Sequence, residues 1–172
     1  MDKSHITYSL WALFTRDDER FLRKIKKLAN SYLSTIESIN ISDFPIHMTI
    51  NSNINKNSKN LKQNIKKIKP FEIQADSYLY KKKFFQSFFV RVKVKKKLID
   101  IKNTLEEQQK FKNKYFLPHV SLSYGDQKSK TKKKSIKALP KIKNKVFKIN
   151  RLCIAKNDER NFKWKIIKIF KI

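Results

Sequence analysis

One order of elements occurs twice along this chain, and few folds accommodate it without an internal pseudo-repeat. In each occurrence a helical stretch leads to a proline-marked turn and then to a short strand led by histidine. The first stretch carries Phe21, Leu22, Ile25, Leu28, Ala29, Tyr32, Leu33 and Ile36 at helical spacing, so one apolar stripe opposes a face of Arg and Lys. Thr15 reads as its N-cap, with Asp17 and Asp18 where the helix dipole favours acid, and the helix is expected to end near Ile39. Pro45-Ile46-His47-Met48-Thr49-Ile50 follows. The second stretch runs from Leu98 to about Lys110, and Pro118-His119-Val120-Ser121-Leu122 follows it.

Around these units the pattern is mostly that of strands. Tyr8 to Phe14 is a short aromatic and aliphatic run suited to a buried strand. Phe71, Ile73, Ala75, Ser77 and Leu79 alternate with polar residues, as do Phe88, Val90, Val92 and Val94, with Lys81-Lys82-Lys83 between the two runs. Short helices are expected around Leu61 to Ile68 and Lys130 to Leu139. The runs 146–155 and 162–172, joined through Asn157-Asp158-Glu159-Arg160-Asn161, read as a closing hairpin. Antiparallel strands with helices outside them make the class α+β rather than a parallel βαβ sheet. The 172 residues are expected to form one two-lobed domain, with 40% hydrophobic content and 13 Phe to fill its core.

The formal net charge is +28. Such a field concentrates anionic ligands and binds nucleic acid by neutralising phosphates, but a coding bias towards Lys, Asn and Ile in a chain with one Gly would also raise it. Bias accounts for the scarcity of Gly better than for that of Asp and Glu, which leaves an anionic partner as the expectation. Cys153, between Leu152 and Ile154, reads as a structural thiol and fits a reducing cytoplasm. The first residues lack the features of a signal peptide, and no apolar run approaches the roughly 18 residues of a membrane span, so no membrane partner is expected. A monomer is expected.

The chemistry lies in the two His-apolar-Ser/Thr segments. Side chains alternate along a strand, so His47 shares a face with Thr49, and His119 with Ser121 and Ser123. Two such strands would line a cleft with two imidazoles and two hydroxyls. Hydrolysis of a cyclic phosphodiester needs a base for water and an acid for the departing ribose oxygen, and a pair of imidazoles supplies both near neutral pH. Thr49 and Ser121 would donate to the non-bridging phosphate oxygens. His5-Ile6-Thr7 matches the same short pattern but has no preceding Pro and sits at a terminus, so it is read as a decoy. Metal-ligand spacing of the His-Glu-x-x-His or Cys-x-x-Cys kind is missing, and neither metal nor other cofactor is expected.

His47-Met48-Thr49-Ile50 and His119-Val120-Ser121-Leu122-Ser123-Tyr124-Gly125 resemble the paired motifs of the two-histidine, LigT-like phosphoesterase superfamily, and of its cyclic phosphodiesterase branch above all. Tyr8-Ser9-Leu10-Trp11-Ala12-Leu13 resembles that branch's opening strand, although Phe14-Thr15 stands where the family usually has Pro, and the Asn/Lys-rich loop after the first motif is unlike the family's. The resemblance spans essentially the whole chain. It implies a bilobal fold of two antiparallel sheets facing a central cleft, with helices outside. It also implies opening of a 2′,3′-cyclic phosphate on a nucleotide, an RNA end or ADP-ribose to leave a 2′-phosphate. His47, Thr49, His119 and Ser121 are the catalytic positions that it implies, with His119 as base and His47 as acid, and Trp11 and Tyr124 would contact the nucleotide. Two alternatives stay open: a phosphoesterase on linear 2′,5′-linked oligonucleotides and a non-catalytic basic RNA-binding protein. Gly125, the only glycine, marks a positive φ or close approach to a ligand, or else an ordinary strand-to-loop turn.

Overall fold

The computed structural model describes residues 6–34, 38–106 and 116–172. His5 therefore lies outside the described residues. In chain order the elements are β1 (Ile6–Phe14), α1 (Arg16–Leu33), β2 (Asn40–Ile41), β3 (Met48–Asn51), α2 (Lys59–Lys67), β4 (Phe71–Tyr80), a 3-10 turn (Phe84–Gln86), β5 (Phe88–Val92), α3 (Lys96–Leu105), β6 (His119–Gly125), α4 (Ser129–Ala138), β7 (Val146–Asp158) and β8 (Lys163–Lys171). Two helices stop earlier than expected. α1 ends at Leu33, where Ser34 turns extended, and α3 ends at Leu105, where Glu106 does the same. The cap of α1 is a relay: the Thr15 hydroxyl donates to Asp18, and the same Asp18 oxygen accepts the Lys148 backbone N–H at 2.8 Å.

Apolar residues on one face of each strand meet the apolar stripes of the helices. Leu22, Ile25, Ala29 and Leu33 of α1 and Leu61 and Ile65 of α2 pack with Leu10, Ala12, Met48, Val90, Val120 and Leu152 in the principal core. A smaller cluster, Trp11, Leu13, Cys153 and Ala155 with Trp164 against it, occupies the opposite sheet face. No helix among the described residues is long and apolar enough to cross a membrane.

The strands are antiparallel throughout and run in the order β1-β3-β6-β5-β4-β7-β8, with β2 on β6. β7 also pairs along nearly its whole length with β1, so six strands close into a ring. The two expected sheets are the two halves of this one sheet. β4 meets β7 over Phe71 to Gln74, whereas β3 meets β6 through the single pair Met48–Val120. Both histidine segments sit at that second seam.

Gly125 has φ +141°, and a Cβ there would lie 1.9 Å from the Ile39 carbonyl oxygen. The requirement for glycine thus comes from the close passage of β2, which pairs Asn40 with Gly125.

Candidate active site

The seam places the expected residues by simple register. Because Met48 and Val120 are antiparallel partners, one step outward from the pair sets His47 beside Ser121 and Thr49 beside His119. The side chains of Met48 and Val120 go into the core, so those four turn to the other face. Pairing between the two strands is confined to that one position.

Both imidazoles are held in the same way. His47 Nδ1 donates to the Pro45 carbonyl at 2.7 Å, and His119 Nδ1 donates to the Leu117 carbonyl at 2.8 Å. A carbonyl only accepts, so each ring carries its proton on Nδ1 and leaves Nε2 with a lone pair. Each ring also rests against an aromatic from the neighbouring strand. Trp11 stacks on His47 with ring centres 3.6 Å apart and planes 13° apart, and Phe89 lies 4.9 Å from His119. Burial pushes both histidines down, His47 to about 3, and the positive charges of Lys26 near His47 and Lys81 near His119 add to this. The two imidazoles also sense each other, which disfavours double protonation.

Where β5 moves one residue, from Phe88 to Phe89, β6 moves two, from Ser123 to Ser121. This bulge separates Ser123 from the face expected for it. Ser123 instead joins a buried network with Asn40 and Gln127, and Tyr124 takes the place beside Ser121, with a hydrogen bond between their side chains. Tyr124 stacks on Phe44 at 4.2 Å, and Phe44 meets His47 edge-on at 6.3 Å. Trp11 and Tyr124 are both almost fully covered, at 2% and 6% exposure. Burial pushes the Tyr124 phenol up to about 12, so it is a neutral donor near pH 7. The buried Cys153 thiol is likewise pushed up to about 12, as befits a structural cysteine.

Four residues at this site were not singled out from the sequence. Phe89 backs His119, and Arg91 lies across from His119 on β5, held by the Asp76 carboxylate at the cleft mouth. Phe44 links His47 to Tyr124. Lys26 of α1, read as part of the solvated face, is buried: its Nζ donates to the Phe44 carbonyl at 2.6 Å and lies 3.3 Å from the centre of the Phe44 ring. The only hint in the sequence was the aromatic residue directly before Pro45. Among the described residues no group of three or more His, Cys, Asp or Glu could hold a metal ion. Two imidazoles that each present Nε2 are groups that can accept and deliver protons near neutral pH.

Residues 6–172 match the family described as Cyclic phosphodiesterase-like protein. No curated protein sequence matches. Among solved structures, E. coli LigT complexed with 3′-AMP is similar at 13% identity and TM-score 0.61, over 96% of this chain and 97% of that one. LigT complexed with phosphate is similar at 11% identity and TM-score 0.61, over 96% of each chain. A protein of Thermus thermophilus, TT0787, is similar at 9% identity and TM-score 0.57, over 96% of this chain and 97% of that one. These likenesses concern the fold, an antiparallel sheet with helices outside. With its two histidines at one seam and a family match along nearly its full length, the chain belongs to the cyclic phosphodiesterase-like proteins of the two-histidine phosphoesterase superfamily.

Proposed function

We propose that the chain hydrolyses 2′,3′-cyclic phosphates to 2′-phosphates without a metal ion. The observation that carries this reading is the matched pair of imidazoles, each fixed through Nδ1 by a main-chain carbonyl two residues upstream and each presenting Nε2. In the proposed step one Nε2 takes a proton from water as its oxygen attacks phosphorus. The P–O3′ bond breaks on the opposite side, and the second imidazole delivers a proton to O3′. With His119 as base and His47 as acid, the productive form carries its proton on His47, so the bound phosphate anion has to raise His47 from the low value that burial gives it. Thr49 and Ser121 donate to the non-bridging oxygens, with Tyr124 supporting Ser121. Nucleotide contact at Trp11 and Tyr124 is confined to the ring edges and faces that His47 and Phe44 leave uncovered. The LigT structures that hold 3′-AMP and phosphate support a nucleotide phosphate as the ligand of this cleft.

The deciding experiment is turnover of a 2′,3′-cyclic mononucleotide in EDTA, with phosphorus NMR of the product. A 2′-phosphate formed at an undiminished rate is expected. A 3′-phosphate, or activity restored only by a divalent ion, would refute the mechanism. Turnover of linear 2′,5′-linked dinucleotide alone would establish the alternative esterase.

A further inference from the structure

Beside the histidine cleft lies a second cavity, of about 660 Å³, between the turn at Asp43–Pro45, Arg23 of α1 and the β7–β8 hairpin. Phe44 separates the two spaces, since its ring faces His47 on one side and Trp164, at 5.6 Å, on another. Three rings line the cavity, those of Phe44, Phe162 and Trp164. Phe162 has φ +51°, a backbone state that bulky residues rarely adopt, and its ring stacks on Phe84 at 5.2 Å. The hairpin tip is thereby set across from the 3-10 turn. Lys156, Lys163 and Lys165 bring three cations to the same wall, against the carboxylates of Asp43 and Asp158, while Arg23 beside them is already paired with Glu19 at 2.6 Å. Both Asp158 oxygens already accept from Asn161, one from its backbone N–H and the other from its side-chain amide.

We propose that this cavity is a second binding site, for the nucleotide next to the reacting one in a single-stranded RNA end. The inference rests on the cyclic-phosphate reading above. A 2′,3′-cyclic phosphate occupies the last ribose of a strand, so every further nucleotide lies on its 5′ side and leaves the cleft in one direction. Phe44 is already covered by Tyr124 and by Lys26 Nζ, so the stacking surfaces are those of Phe162 and Trp164, flat rings that accept any base; cations beside them neutralise the linking phosphates, which is the chemistry of sequence-tolerant single-strand binding. A mononucleotide reaches only the cleft. The size suits one nucleotide unit rather than a folded partner.

The test compares kcat/KM for a cyclic mononucleotide and a trinucleotide ending in the same cyclic nucleotide. Wild-type protein is expected to prefer the trinucleotide by about tenfold, within what one stacked base contributes. In Lys163→Glu/Lys165→Glu that preference collapses towards unity, and the log–log slope of trinucleotide KM against salt becomes shallower by about 0.7 for each phosphate that is no longer neutralised. Equal efficiency on the two substrates in wild type, or a preference that survives the double variant, would overturn the inference. If wild type hydrolyses neither substrate, the cyclic-phosphate reading fails by itself. Fluorescence anisotropy with a labelled trinucleotide carrying a terminal 2′-phosphate then decides the cavity: binding weakened by the double variant supports it, and binding indifferent to it does not.

Discussion

His47 gives up its proton easily, because Trp11 and Phe44 screen it from water. Productive enzyme needs one proton shared between His47 and His119, and both are shifted down, so that form is lost as pH rises through their lowered pKa values. kcat/KM, which reports the free enzyme, is expected to fall steadily between pH 5 and 8. A bound phosphate anion raises both groups, so kcat should instead peak nearer neutrality. Coincident profiles for the two constants would contradict this. Replacement of His47 or His119 by Ala should lower kcat by about 10²- to 10⁴-fold each, measured with the cyclic mononucleotide. The same shift bears on stability. The unfolded chain protonates His47 below its ordinary value of 6.5 while the native one does not until about 3, so stability is lost as pH falls through this window. The loss is about 2 kcal/mol at pH 5. Urea melts of His47→Gln should show a correspondingly smaller loss between pH 7 and 5.

At the scale of elements, α1 steadies the first histidine through Lys26, whose Nζ donates to the Phe44 carbonyl while the next carbonyl, that of Pro45, holds His47. Burial lowers Lys26 to about 7, so the native state releases a proton that the unfolded chain keeps up to about 10.5. Between these two values the unfolded chain binds one more proton than the native state, so stability from this group rises as pH climbs from 7 towards 10.5. Lys26→Met is expected to add about 1 kcal/mol or more at pH 7 and to flatten the rise between pH 7 and 9 in thermal melts, with a lowered kcat as the turn loosens. An unchanged slope would show that Lys26 is charged in the fold. From the sequence, periodicity made α1 and β4 legible, since each buries one side of a long pattern, while β6, buried on both sides, was legible from its Pro-His start. Three features left no such trace. β2 is two residues long and exists only by pairing with β6. The β6 bulge exchanges Ser123 for Tyr124, because register depends on a partner strand distant in sequence. Lys26 sits on a helix stripe by virtue of what packs over it, which a lone basic residue in an Arg/Lys-rich helix does not announce. The His-apolar-Ser/Thr repeats were readable for the opposite reason, as local alternation alone put each imidazole with its hydroxyl.

For the whole molecule, ring closure determines where the chain meets the outside world. β1, β3, β4, β5 and β6 are each flanked on both sides, and β7 is shared among β1, β4 and β8. Among the described residues that leaves β8 as the one long strand with an open flank, and it reads Lys-Trp-Lys-Ile-Ile-Lys-Ile-Phe-Lys, with Ile167 and Ile169 exposed. A stretch so rich in β-branched and aromatic residues is a template on which a second chain can extend the sheet. Its lysines act as gatekeepers, since two such strands brought edge to edge would juxtapose like charges without the space to hydrate them. Replacing Lys165, Lys168 and Lys171 by Thr should yield larger soluble oligomers than the parent forms at the same concentration, or fibrils that bind thioflavin where the parent forms none. A variant that stays at the parent's sedimentation coefficient would remove this role. Part of the excess of positive charge is on this account colloidal, a guard against self-association placed on the one long strand that lies outside the closed ring.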